Sequence, residues 1–106
     1  MVEVIRKAGL PAPDYNVRVG GYEVDLLWRE NGLVVEIDGY ADHSGRAAFE
    51  RDRARDAHLM TAGLRVLRIT WRQLADEPER VVALVASGLR PLRGPGAGRG
   101  LAAPPR

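Results

Sequence analysis

The run Tyr22-Glu-Val-Asp-Leu-Leu-Trp-Arg-Glu-Asn-Gly-Leu-Val-Val-Glu-Ile-Asp38 holds two strand-like segments on either side of Asn31-Gly32. An Asn-Gly pair between alternating β-branched and aromatic residues signals a tight hairpin with a type I′ turn. With Asn31 and Gly32 as the turn, Glu30 faces Leu33 and the register follows. Trp28 then pairs with Val35, Leu27 with Glu36, Leu26 with Ile37, and Asp25 lies opposite Asp38. Side chains alternate along a strand. Val24, Leu26, Trp28, Leu33, Val35 and Ile37 therefore share one apolar face, while Asp25, Glu36 and Asp38 share the other with Leu27 and Val34. Like charges across a strand pair repel, so three carboxylates gathered there need a counter-charge. A hard divalent cation is the simplest one, since Mg²⁺ binds through a few carboxylates plus substrate phosphates. The alternative is a solvated sheet face that carries acids. Against it, Leu33 to Asp38 reads as a strand buried on both faces, with a helix over one of them.

Working outward, residues 1–8 read as a short helix with Val2 and Ile5 on one side and Gly9 as its stop. Its shortness suggests a chain that starts late relative to its relatives. Pro11, Pro13 and Asp14 form a turn. Tyr15 to Val19 is a first strand, and Gly20-Gly21 turns it into the hairpin to give an antiparallel meander. After a loop from Gly39 to Ser44, a helix is expected from about Gly45 to Ala62, capped by Ser44 and ended by Gly63. Its buried stripe is thin: Phe49, Leu59 and Met60. Leu64 to Thr70 is a fourth strand, with Leu64, Val66 and the Arg68 stem on one side and Leu67 and Ile69 on the other. A helix and a glycine between strands three and four allow a parallel crossover. Trp71 to Ala75 starts a helical turn, and Val81, Val82, Leu84 and Val85 give a last helix between Pro78 and Gly88. The order is α-β-β-β-α-β-α, a mixed α+β sheet flanked by helices.

With 106 residues the chain reads as one domain at 1–89 followed by a tail at 90–106. Pro, Gly and Arg dominate the tail, a composition expected to stay disordered. Charged residues form 28% and apolar ones 45%, ordinary proportions for a soluble globular protein. No apolar run approaches a membrane span and no signal peptide opens the chain. The absence of cysteine excludes disulfides and thiolate metal sites and fits a cytoplasmic protein. The net charge of +2 misleads, because Arg90, Arg93, Arg99 and Arg106 lie in a tail without acids. Residues 1–89 keep twelve basic against fourteen acidic residues, so the domain is not a generic basic binder. Lys7 is the only lysine.

Several blocks together carry a resemblance. They are Gly-Tyr-Glu-Val-Asp-Leu-Leu-Trp ending at Trp28, Leu-Val-Val-Glu-Ile-Asp-Gly-Tyr ending at Tyr40, then His43. Phe-Glu-Arg-Asp-Arg-Ala-Arg-Asp ending at Asp56 follows, and Gly-Leu-Arg-Val-Leu-Arg-Ile-Thr-Trp ends at Trp71. In order and spacing, over about residues 9–88, they resemble a bacterial family grouped with the very-short-patch-repair (Vsr-like) endonucleases of the PD-(D/E)XK superfamily. The resemblance implies a restriction-endonuclease-like core and Mg²⁺- or Mn²⁺-dependent hydrolysis of DNA phosphodiester bonds. The superfamily pattern sets an Asp on one strand and (Asp/Glu)-x-Lys on the next. Asp25 and Glu36 match, whereas Asp38 falls where the lysine would stand. Lys7, on the opening helix, is badly placed to replace it. The repair endonucleases also lack that lysine and use a histidine just after the strand, a place His43 fills.

Carried over residue by residue, Asp25 and Glu36 would hold the metal, with Asp38 a further ligand or a water-orienting base. His43 would pass a proton or orient the attacking water; otherwise it is a surface loop histidine. Arg51 would contact the scissile phosphate in place of the lysine, against the alternative of an ion-paired helix face shared with Arg53 and Arg55. Glu3 is the one candidate for the extra acid that many superfamily members take from the first helix. His58 reads as a helix-face residue, and Trp28 and Trp71 as packing residues. DNA is the expected partner, with no membrane, and the assembly a homodimer or one domain of a larger chain. Two other readings use the same residues. One is a catalytically inactive nuclease-fold module that binds DNA or a protein partner. The other, a carboxylate-pair hydrolase acting on sugars, has no legible sugar-stacking cleft.

Overall fold

The computed structural model of the chain describes residues 1–38 and 45–91. Its elements are α1 (Val2–Lys7), β1 (Asp14–Val19), β2 (Tyr22–Trp28), β3 (Leu33–Asp38), α2 (Arg46–Thr61), β4 (Arg65–Thr70), α3 (Trp71–Asp76) and α4 (Pro78–Leu89). The sheet order is β1-β2-β3-β4. The first two pairings are antiparallel and β3–β4 is parallel, so the crossover through α2 forms as the sequence implies.

The hairpin register differs from the one the Asn-Gly signal implies. Trp28 pairs with Leu33, Leu27 with Val34 and Leu26 with Val35, a slip of two residues. The cause is the turn. Arg29–Asn31 forms one 3-10 turn, and Gly32, at φ 64°, accepts the left-handed conformation that returns the chain. Four residues connect the strands instead of two. An even slip leaves every side chain on its original face, so the acids stay together.

One core lies between the sheet and α1, α3 and α4, and contains Ile5, Leu26, Trp28, Leu33, Val35, Ile69, Leu74, Val81 and Val85. A smaller one under α2 contains Val24, Leu27, Val34 and Leu59, with Val17, Val19, Leu64 and Val66 packed against it. Val24 thus lies on the opposite side from Leu26, where simple alternation joins them. The reason sits at the middle of the β1–β2 pair: Asn16 has φ 53° and the pairing skips Asn16 and Asp25. Tyr15 and Val17 part company in the same way, one to each core.

Three other expectations change. Val2 is exposed, and Met1 and Val4 flank Ile5 in the core instead. On α2, Phe49 is 59% and Met60 70% exposed, and Leu59 is the one buried residue. Gly45 in extended conformation is the N-cap of α2, while Ser44, the expected cap, is outside the described residues. α3 begins with a capping box: Gln73 N donates to Thr70 Oγ1 at 3.0 Å and Thr70 N donates to Gln73 Oε1 at 2.9 Å. Trp28 is buried and donates from Nε1 to the Pro11 carbonyl at 2.8 Å. Trp71, by contrast, is 41% exposed and does not act as a core residue. Among the described residues no helix is long and apolar enough to cross a membrane. The tail from residue 92 and the loop 39–44 are outside the described residues.

Candidate active site

The β2–β3 ladder stops at Leu26 and Val35, and beyond it two carboxylates take over from main-chain carbonyls. Ile37 N donates to Asp25 Oδ2 at 2.8 Å, and Asp25 N donates to Glu36 Oε2 at 3.3 Å. Strand amides released where a ladder opens must find partners, and a carboxylate is a stronger acceptor than a neutral carbonyl. Each acid is therefore fixed by the other strand's backbone. Glu36 is only 6% exposed. Burial pushes its carboxyl above the ordinary carboxylate range, and the negative Asp25 adds to that. Arg55, the Asp25 amide and Arg68 pull it back without cancelling the shift.

Above this pair α2 presents Ala48, Arg51, Asp52 and Arg55, spaced i, i+3, i+4, i+7 on one helical face. With Glu23, Asp25, Glu36, Ile37, Asp38 and Arg68 they line an open cavity of about 610 Å³. Arg55 Nη2 donates to Glu36 Oε1 and to the Glu23 carbonyl, both at 2.6 Å. Arg68 faces Glu36 in the parallel β3–β4 register. It donates to Asp56 at 2.7 Å and lies 3.7 Å from Asp38. Burial disfavours its charge, but Asp56, Asp52 and Asp38 outweigh burial and hold Arg68 above the usual guanidinium value.

Asp25, Glu36, Asp38 and Arg51 all border this one cavity. Their arrangement is not the three-ligand set the sequence suggests. Among the described residues no three His, Cys, Asp or Glu side chains are gathered as a metal-holding group. Asp25 and Glu36 form the tight pair, and Asp38 is half exposed beside Arg68. The donor chemistry of that pair fits a hard cation: two carboxylates, with Asp25 close enough to disfavour the charge on Glu36, open to a polar cavity with room for waters and a phosphate. His43 falls outside the described residues. Glu3 is tied to Arg6 at 2.6 Å on the surface. Lys7 lines a separate groove with Val4, Ala8, Pro78, Glu79 and Val82. His58 packs against Tyr22 at 5.3 Å between ring centroids.

Sequence reasoning read Arg55 only as part of an ion-paired helix face and Arg68 only as a strand residue with a buried stem, not as residues lining the site. The spacing from Ala48 through Arg51 and Asp52 to Arg55 was a signal for the first. For the second, the signal was a charged residue on the α2 side of β4, between apolar neighbours.

A solved structure, the catalytic domain of the homing endonuclease I-Bth0305I, is similar with a TM-score of 0.63 and 19% identity, over 83% of this chain and 91% of that one. That likeness carries the fold, a restriction-endonuclease-like mixed sheet. Among curated proteins, "Uncharacterized protein Rv2248" of Mycobacterium tuberculosis strain H37Rv and "Uncharacterized protein MT2308" of strain CDC 1551 are each 30% identical over 86 residues. Those matches take in 76% of this chain and span about a third, 32%, of each relative's length. A sequence model matches residues 1–89 as well, and the chain belongs to the family it describes, the restriction-endonuclease-like family REase_MTES_1575.

Proposed function

We propose that this nuclease-like domain is a Mg²⁺- or Mn²⁺-dependent endonuclease that hydrolyses DNA phosphodiester bonds, with a Vsr-like preference for nicking one strand. The observation that carries the reading is the Asp25–Glu36 pair, with Glu36 held by the Asp25 amide and Asp25 by the Ile37 amide at the opening of the β2–β3 ladder, facing an arginine-lined cavity. Such a pair would hold the cation. When bound, the cation supplies an acidified water and offsets the charge that grows on the phosphoryl oxygens. Asp38, half exposed at the end of β3, orients that water. Arg51 and Arg68 balance the charge of the incoming phosphate, with Arg68 placed opposite Glu36 on the neighbouring strand. His43 moves a proton at the attacking water or the leaving oxygen. The reading expects a cytoplasmic enzyme that works as a homodimer or as one domain of a longer chain.

The experiment is nicking of supercoiled, single-stranded and mismatched DNA with Mg²⁺ or Mn²⁺. Asp25→Ala or Glu36→Ala is expected to abolish nicking while the urea unfolding transition stays cooperative. Wild-type protein that leaves all three substrates intact overturns the reading.

A second reading, an inactive module that binds DNA or a protein, is favoured by Asp38 at the lysine position and by the arginine already seated on Glu36. It predicts no Mn²⁺ heat above background in calorimetry.

A further inference from the structure

Both oxygens of Glu36 are occupied: Oε2 accepts from the Asp25 amide, and Oε1 accepts from Arg55 Nη2 at 2.6 Å. A cation shared between Asp25 and Glu36 therefore competes with Arg55 for the charge of Glu36, most directly at Oε1. Arg55 itself is poorly satisfied. Its Nη2 serves two acceptors, Glu36 and the Glu23 carbonyl, while its Nε is buried with no partner among the described residues. Nε and Nη2 form one edge of the guanidinium plane, the edge that meets phosphates with two parallel hydrogen bonds. Half of that edge is unused and enclosed, in a residue that lines the cavity where a phosphate would enter.

We infer that Arg55 is a displaceable counter-charge: it neutralises Glu36 until a divalent cation binds, then releases Oε1 and turns its Nε–Nη2 edge onto a phosphate oxygen of the DNA. This rests on the metal-nuclease reading above. The physical reason is charge. A guanidinium and a divalent cation repel when they share one carboxylate oxygen, and low exposure at this site leaves that repulsion weakly screened. Arg68 is not equivalent, because Asp56 and Asp38 hold it in place from two sides. Among the described residues Arg55 has one ionic partner, Glu36, the residue that would hold the metal. Cation and DNA must then bind with positive coupling, each paying part of the other's cost of moving Arg55.

The test uses the full chain. Mn²⁺ is titrated calorimetrically into wild type, Arg55→Gln and Arg55→Lys without DNA. Anisotropy of a labelled duplex is then read with and without Ca²⁺, a hard cation with the same preference for oxygen ligands. Arg55→Gln is expected to bind Mn²⁺ roughly tenfold tighter than wild type, because the competing charge is gone. Ca²⁺ is expected to tighten DNA binding by wild type roughly tenfold and by Arg55→Gln less than about twofold. Arg55→Lys keeps the charge but not the fork, so its Mn²⁺ affinity stays near wild type while the DNA gain shrinks. An arginine that only braces α2 gives no gain in Mn²⁺ affinity when removed. Equal or weaker Mn²⁺ binding by Arg55→Gln overturns the inference and leaves the nuclease reading standing. No Mn²⁺ binding by any of the three proteins overturns both. Should Arg55→Gln fail to fold, the DNA arm with Arg55→Lys decides: an undiminished Ca²⁺ gain overturns the inference.

Discussion

Leu59→Ala tests how α2 is held to the sheet. Leu59 is fully buried against Val24, Leu27 and Val34, and no other residue of the helix is buried. Burying a leucine side chain contributes about 1.5–3 kcal/mol, and a void left behind adds to the loss. The void is expected to persist. The Arg55–Glu36 and Arg68–Asp56 contacts hold α2 at a fixed distance across the polar cavity, so the helix has no easy way to sink. The expected cost is about 3–4 kcal/mol, within the usual range for buried leucine truncation. For a domain of this size, stable by roughly 5–10 kcal/mol in all, that is a large fraction. Urea unfolding followed by tryptophan fluorescence suits the measurement, since Trp28 is buried in the folded state. With a urea slope of about 1–1.5 kcal/mol per molar, the midpoint falls by about 2–4 M. Phe49→Ala and Met60→Ala are the controls. Both residues are mainly exposed, and Phe49 lies under the Arg53 guanidinium, 5.4 Å from its ring centroid. Each control is expected within about 0.5–1 kcal/mol of wild type. A cost below about 1 kcal/mol for Leu59→Ala, or an equal cost for Phe49→Ala, refutes this account of α2.

Glu36 sets a pH dependence whose sign follows from burial. Its carboxyl is held above the ordinary range, so folding favours the protonated form. Its contribution supports the fold below the ordinary glutamate value of about 4.3 and is lost as the pH rises through the raised folded value. Glu36→Gln lacks that titration, and its stability relative to wild type is expected to improve from about pH 4 to about pH 7 in paired urea titrations. A difference that shifts in favour of the wild type over that interval contradicts the burial argument. At the β1–β2 turn Gly20 has φ 58°, and a Cβ there would overlap the His58 imidazole. Gly20→Ala is expected to cost about 1–2 kcal/mol from the left-handed backbone alone, and about 1 kcal/mol more from His58. Repeating it in a His58→Ala background should remove only the second part; equal costs in both backgrounds would show the imidazole is no obstacle.

The parts of the fold that depend on composition and alternation were legible. Apolar runs located all four strands, and glycine with helical residues between strands three and four pointed to the parallel pairing. What the sequence concealed was geometry set by a few backbone angles. Asn31-Gly32 signals a two-residue turn, yet Arg29 joins a 3-10 turn and moves the register by two. Because an even slip preserves the faces, the error did not move Asp25 or Glu36 away from each other. The inversion at Asn16 left no such trace. No periodicity rule foresees one asparagine turning left-handed inside a strand, so Val24 was placed on the wrong side. In α2 the inward face is charged rather than apolar, which is why a search for a hydrophobic stripe chose Phe49 and Met60 and passed over Arg55. A helix that roofs a polar cavity shows its working face through the spacing of its charges.

The inversion at Asn16 has one more consequence, for how molecules meet. β1 is the outermost strand on its side of the sheet, with a free row of peptide groups. A straight outer strand invites a stray chain to zip onto it and seed aggregation. Here one left-handed residue divides that row into Asp14–Tyr15 and Val17–Val19, with their peptide groups out of line. Neither fragment is long enough to recruit a foreign strand. The left-handed asparagine thus breaks the regularity of the outer strand, next to Pro13 at its start.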